Sequence, residues 1–132
     1  MLYEDEKDYI MRMIKEMARV LFSLMLGKQY TQVELPGENR FSVSGKNLGD
    51  LKEMADRGKI NEAENLLLEN LDYENKEEVT AAVLFYEYVG QMEEGFLKKN
   101  GYSLEEVYDG LMQIARNSGY GELVPGSLPE TE

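Results

Sequence analysis

Twenty-six carboxylates and nine tyrosines are the side chains through which this 132-residue chain could do chemistry. It contains no cysteine and no histidine. That removes the thiolate nucleophile and any disulfide framework. It also removes the imidazole base and the commonest metal ligand. What remains is a carboxylate-dependent hydrolase, in which one carboxyl acts as general acid and another as base. Such an enzyme needs two carboxyls converging on one pocket. Glu62 and Glu69 lie seven apart and share a helix face, Glu74, Glu77 and Glu78 cluster before an apolar run, and Glu93 and Glu94 are adjacent and diverge. No pair stands out, and no catalytic residue is assigned.

Metal and phosphate chemistry are equally unsupported. A helical di-metal site wants inward carboxylates from several helices together with Glu-x-x-His, and no histidine exists. Glu77 and Glu78 are better read as charges favoured at a helix N-terminus. Gly45-Lys46 is followed by Asn47 and Gly58-Lys59 by Ile60, so neither completes a phosphate-binding loop. The expectation is no metal and no cofactor. A net charge of −12 disfavours nucleic acid, whose binders cluster Lys and Arg.

The elements that must position these groups read as helices. The first, DYIMRMIKEMARVLFSLMLG, ends at Gly27 and gathers Asp8, Arg12, Lys15, Glu16 and Arg19 onto one narrow stripe. Apolar residues cover about half its circumference or more, beyond what a surface helix needs. Four of the eight methionines fall here, at Met11, Met13, Met17 and Met25. They read as core filler, with an adaptable partner surface as the alternative. Met11 and Phe22 sit toward the edge of the arc. With Leu26, they are the expected contact residues of a homodimer. The alternative is a monomer in which the later helices wrap the first completely.

Residues 28–47 form a long connection. Pro36-Gly37 and Glu38-Asn39 separate two halves with alternating apolar positions. An extended, partly packed loop is preferred to a hairpin because turn formers are so many. A second helix follows Asn47 and stops at Gly58. A third begins at once, with Asn61 as cap and Glu64 reaching back. Gly58 should form the turn and Ala63 the close crossing of this helical pair. Asn75 and Glu78 repeat the capping spacing before a fourth helix over about 76–98, in which Glu93 is the odd polar member of the buried face. Ser103 and Glu106 open a fifth, to about Asn117. Tyr86, Tyr88, Tyr102 and Tyr108 are expected along one side of this last helix pair. They suit either an interface or the margin of an ordinary core.

The segment LKEMADRGKINEAENLLLENL, with Gly58 at the turn and Ala63 at the crossing, resembles a tetratricopeptide-type helical hairpin. NGYSLEEVYDGLMQIA echoes it through Gly101, Tyr102 and Val107, without the strict period of a repeat array. DYIMRMIKEMARVLFSLMLGK followed by GKINEAENLLLENLDY resembles a family of small uncharacterised bacterial proteins common among Firmicutes. That resemblance spans most of residues 5–118 and implies an all-helical cytoplasmic protein, with no active site to carry over.

The expected architecture is all-α: a five-helix array or bundle containing a tetratricopeptide-like hairpin. It forms a single domain over 1–118 with a long loop at 28–47, followed by a mobile tail over 119–132. The function expected is a non-enzymatic protein-interaction or structural module whose protein partner the sequence does not identify. The rivals are the carboxylate-dependent hydrolase and a peripheral membrane protein associating through the first helix. Against the last, that helix is central to any compact packing, and an acidic chain is repelled by anionic lipid. Val20 to Leu26 is too short an apolar run to span a bilayer, and the acidic start MLYEDEKD lacks the basic character of a secretory signal. The expected compartment is the cytoplasm.

Overall fold

The computed structural model describes residues 6–26 and 38–123. The chain is helical: α1 (Glu6–Leu26), α2 (Leu48–Asp56), α3 (Ile60–Glu69), α4 (Lys76–Gly90), α5 (Glu94–Lys99) and α6 (Leu104–Asn117). A two-residue hairpin, β1 (Ser42–Val43) and β2 (Lys46–Asn47), precedes α2. Short 3₁₀ turns occupy Glu38–Arg40 and Gly121–Leu123.

The most enclosed helix is α4 rather than α1. Eleven of its fifteen residues are buried, because α1, α2, α6 and β1 all pack on it. A helix apolar on every side has to sit at the centre of its domain. α1 lies against both α4 and α6, and buries Ile14, Met17, Ala18, Leu21, Phe22 and Met25. Gly90 allows part of this approach, since a Cβ there would stand 3.2 Å from Cγ2 of Ile14 and 3.4 Å from Cγ1 of Val107.

Among the described residues six α-helices stand where five were expected, because the long fourth helix is broken. At the C-terminus of α4 the N–H groups of Gln91 and Met92 bond back three residues, to the carbonyls of Tyr88 and Val89. Glu93 then turns extended, with φ −64° and ψ 140°. Gly90 contributes low helix propensity at the break. The new direction carries α5 off the α4 axis and buries Leu97 completely. Glu93, the odd polar member of the expected stripe, becomes the exposed residue preceding α5.

Three helices end in one motif. After α2, α5 and α6 the N–H groups of Lys59, Tyr102 and Tyr120 reach back to Met54, Leu97 and Ala115 at 2.9, 2.9 and 2.7 Å. The intervening Gly58, Gly101 and Gly119 take φ of +87°, +73° and +91°. This is the Schellman arrangement, which satisfies orphan carbonyls through a left-handed residue. The N-terminal caps are mostly as the sequence suggests: the side chains of Asn47, Asn75 and Ser103 accept from the N–H groups of Gly49, Glu78 and Glu106. α3 is the exception. Ile60 is drawn fully into the core as its first residue, Lys59 occupies the cap position without a side-chain bond, and Asn61 is left inside the helix.

The connection before α2 holds a hairpin in its second half, where a partly packed loop was preferred. Ser42 pairs with Asn47 and Val43 with Lys46. Ser44 and Gly45 form the turn with φ +55° and +74°, the primed geometry that suits strand twist. Val43 is fully buried against α4. The first half, 28–37, lies outside the described residues, as does the tail from 124. Tyr120 packs on the core and Leu123 is 59% exposed.

Candidate functional site

The fold brings one half-buried carboxyl and two buried tyrosines of the chemistry-bearing set together. Glu64 comes from α3, Tyr86 from α4 and Tyr102 from the turn before α6. The Tyr86 hydroxyl donates to Oε2 of Glu64 at 2.6 Å. The Tyr86 ring is completely buried and meets Phe85 edge-on, with centroids 5.6 Å apart. Gly110 on α6 makes room for it: a Cβ there would fall 2.3 Å from Cε1 of the ring. The buried hydroxyl of Tyr102 lies close enough to feel the Glu64 charge without taking up hydrogen-bond geometry.

Burial, reinforced by the neighbouring carboxylate, pushes the Tyr86 hydroxyl well above the ordinary tyrosine range. Tyr102 is pushed up for the same reasons in the same order. A phenol held so firmly protonated donates a hydrogen bond but does not exchange protons near neutrality, where general acid–base catalysis is most effective. The trio is therefore built as a strut between α3 and α4.

Several further polar groups join elements. Asn61 donates from Nδ2 to the Gly101 carbonyl at 3.2 Å, tying the first turn of α3 to the turn before α6. Asn61 and Glu64 thus serve tertiary contacts in place of the expected local capping box. Tyr88 donates to Oδ1 of Asp56 at 2.6 Å, and that bond raises its hydroxyl to about 12. Lys52 stacks its ammonium 4.8 Å above the Tyr88 ring. Glu77 and Glu78 hold the hairpin through the N–H groups of Ser42 and Ser44, at 3.2 and 3.1 Å. Buried Ser44 donates to the Leu67 carbonyl at 2.5 Å and accepts from the Asn70 N–H at 3.1 Å.

No pair of the carboxylates singled out in the sequence forms a pocket. Glu62, Glu69, Glu93 and Glu94 are exposed. Among the described residues no group of three or more acidic side chains is placed to hold a metal ion, and no helix is long and apolar enough to cross a membrane. A groove of about 450 Å³ opens between the end of α1, the start of α4 and the end of α6, lined by Met25, Tyr73, Val79, Ser118 and Tyr120 among others. Glu64, Tyr86 and Tyr102 do not line it. The cavity and the trio are separate.

The expected contact residues of α1 fall differently. Phe22 is 1% exposed, so the expectation that it faces outward is corrected: intrachain packing has closed over that edge of the apolar arc. Met11 is half-buried against the same core. Leu26 is described by its backbone alone, as the last residue of α1. The open edge is the opposite one. Tyr9 is 52% and Leu24 37% exposed, with Met13 and Val20 half-buried between them. Their spacing of four, seven and four residues was legible as a stripe. Which edge the core would take depended on how α4 and α6 approach. Gly58 sits in the turn between α2 and α3 with its positive φ, and Ala63 is fully buried where these helices pack.

The chain belongs to a family of unknown function (DUF6483), whose model matches residues 4–119. No curated protein and no solved structure matches it.

Proposed function

We propose that this member of the family is a non-enzymatic protein-interaction or structural module, acting through its helical surface. The observation that carries the reading is the bond from Tyr86 to Glu64. The converging carboxyl and phenol are committed to each other, the Tyr86 proton is held far from neutrality, and the open groove lies elsewhere. A carboxylate hydrolase needs those features combined in one place.

Within this reading, α2 and α3 serve as a tetratricopeptide-like hairpin. Gly58 in its Schellman turn and fully buried Ala63 support that geometry. A bacterial cytoplasm is the setting implied by the family resemblance.

The test compares the wild-type chain with Glu64→Gln against a panel of ester, amide, phosphoester and glycoside substrates. The module reading expects no turnover that depends on Glu64. Turnover abolished by Glu64→Gln, with the fold intact by circular dichroism, would contradict it.

A further inference from the structure

Asn100 and Gly101 form the single Asn-Gly pair of the sequence. An asparagine followed by glycine is open to deamidation, because the glycine nitrogen has no side chain beside it to block its approach. That nitrogen attacks Cγ of the asparagine, a bond forms between them, and Nδ2 leaves as ammonia. Water then opens the cyclic imide at either carbonyl, which leaves an aspartate or an isoaspartate. The reaction consumes only water. In this fold the pair occupies the turn between α5 and α6, and each of the reacting groups is engaged elsewhere.

The Gly101 N–H donates to the Lys98 carbonyl at 3.1 Å. With Asn100 at ψ 20°, the Gly101 nitrogen nearly eclipses the backbone nitrogen of Asn100, which turns it away from Cβ and from Cγ beyond. Nδ2 of Asn100 donates to the Phe96 carbonyl at 2.9 Å. Oδ1 lies against Gly58, where an added Cβ would stand 2.5 Å from it. From α3, Asn61 holds the Gly101 carbonyl at 3.2 Å. Closing the imide therefore requires the turn to release α3 and α5 first, a local opening short of global unfolding. The product does not restore what opened. An aspartate sets an oxygen where Nδ2 had donated, against the Phe96 carbonyl, and adds negative charge at the C-terminal end of a helix, where it is disfavoured. An isoaspartate lengthens the backbone by one carbon inside the turn. We propose that Asn100–Gly101 is a gated modification site: the closed joint between the α2–α3 and α5–α6 turns keeps it unreacted, opening exposes it, and deamidation prevents the joint from reclosing. The proposal goes beyond the module reading and is independent of it.

Peptide mass spectrometry follows the amide-to-acid change at Asn100 while the full chain ages at fixed pH and temperature, folded or in guanidinium chloride. Conversion should be at least about tenfold slower in the folded chain than in denaturant. Asn61→Ala removes one tie to Gly101 from an exposed side chain, and should speed conversion in the folded chain about threefold or more, with helix content unchanged by circular dichroism. The converted chain, separated from the unconverted by ion exchange, should unfold at a lower denaturant concentration, and so should Asn100→Asp. Conversion as fast in the folded chain as in denaturant, or no acceleration in Asn61→Ala, would overturn the gate. A converted chain with the wild-type midpoint would overturn the claim that the joint stays open.

Discussion

A Cβ added to Gly110 of α6 would stand 2.3 Å from ring carbon Cε1 of Tyr86 on α4. The missing side chain on one helix is the space filled by the ring of the other. Because the ring is rigid and fully buried, it cannot swing aside. Gly110→Ala should therefore destabilise by roughly 1–3 kcal/mol through overpacking, although alanine is the better helix former. In a Tyr86→Leu background the same substitution should be neutral or favourable. Urea midpoints of the four proteins in this cycle check it, and additive effects would count against the contact.

The hydrogen bond of the same ring is separable from its packing. Tyr86→Phe keeps the ring and strands the Glu64 acceptor, with an expected loss of roughly 1–3 kcal/mol. Tyr102→Phe removes a buried hydroxyl that has no bond, and should leave stability unchanged or raise it. Equal losses from both would contradict the assignment of the strut to Tyr86.

Stability should fall on the alkaline side. Tyr86, Tyr88 and Tyr102 hold their protons more tightly in the fold than an ordinary tyrosine does at 10.0. Above that pH the unfolded chain has released protons that the folded chain retains, so stability declines as pH rises. Their contribution is complete below about pH 10 and is lost as pH climbs through the folded values, about 12 for Tyr88. Urea midpoints measured upward from neutrality should stay level and then drop, less steeply in Tyr86→Phe. Asp56→Asn should bring Tyr88 back toward an ordinary phenolate titration in absorbance.

Much of this fold is legible from local chemistry. Asn47, Asn75 and Ser103 cap where their types and spacing suggest, and Gly58, Gly101 and Gly119 stop helices where a left-handed residue is needed. What local reasoning misses is decided between elements. Asn61 and Glu64 have capping-box spacing, but Ile60 enters the core and frees both side chains for Gly101 and Tyr86. Phe22 and Leu24 are two residues apart on one apolar arc. Only the approach of α4 and α6 determines which is buried. The break after Gly90 is likewise invisible in a stripe that remains periodic through Leu97.

The turn after α2 should be intolerant at both of its small residues. Gly58→Ala would place a Cβ 2.5 Å from Oδ1 of Asn100, on a backbone at φ +87°. The left-handed conformation alone costs about 1–2 kcal/mol for a residue with a Cβ. Ala63→Leu should cost roughly 1–3 kcal/mol by overpacking a fully buried site. Denaturation midpoints unchanged by either substitution would contradict this packing of α2 on α3.

The hairpin should depend on Ser44. Ser44→Ala removes its bonds to Leu67 and Asn70 while keeping a side chain at φ +55°, and should lose roughly 1–3 kcal/mol. Ser44→Gly loses the same bonds but relieves the left-handed strain, so it should be the milder change. The opposite order in thermal midpoints would contradict the lock described for the hairpin.

On the function proposed above the chain works by contact at its surface, while Glu64, Glu77 and Glu78 brace the fold. Native mass spectrometry of the chain recovered from its own cells tests this most directly. The expected result is a protein complex of fixed stoichiometry containing this chain, and a chain recovered only as a free monomer would contradict contact as its mode of action.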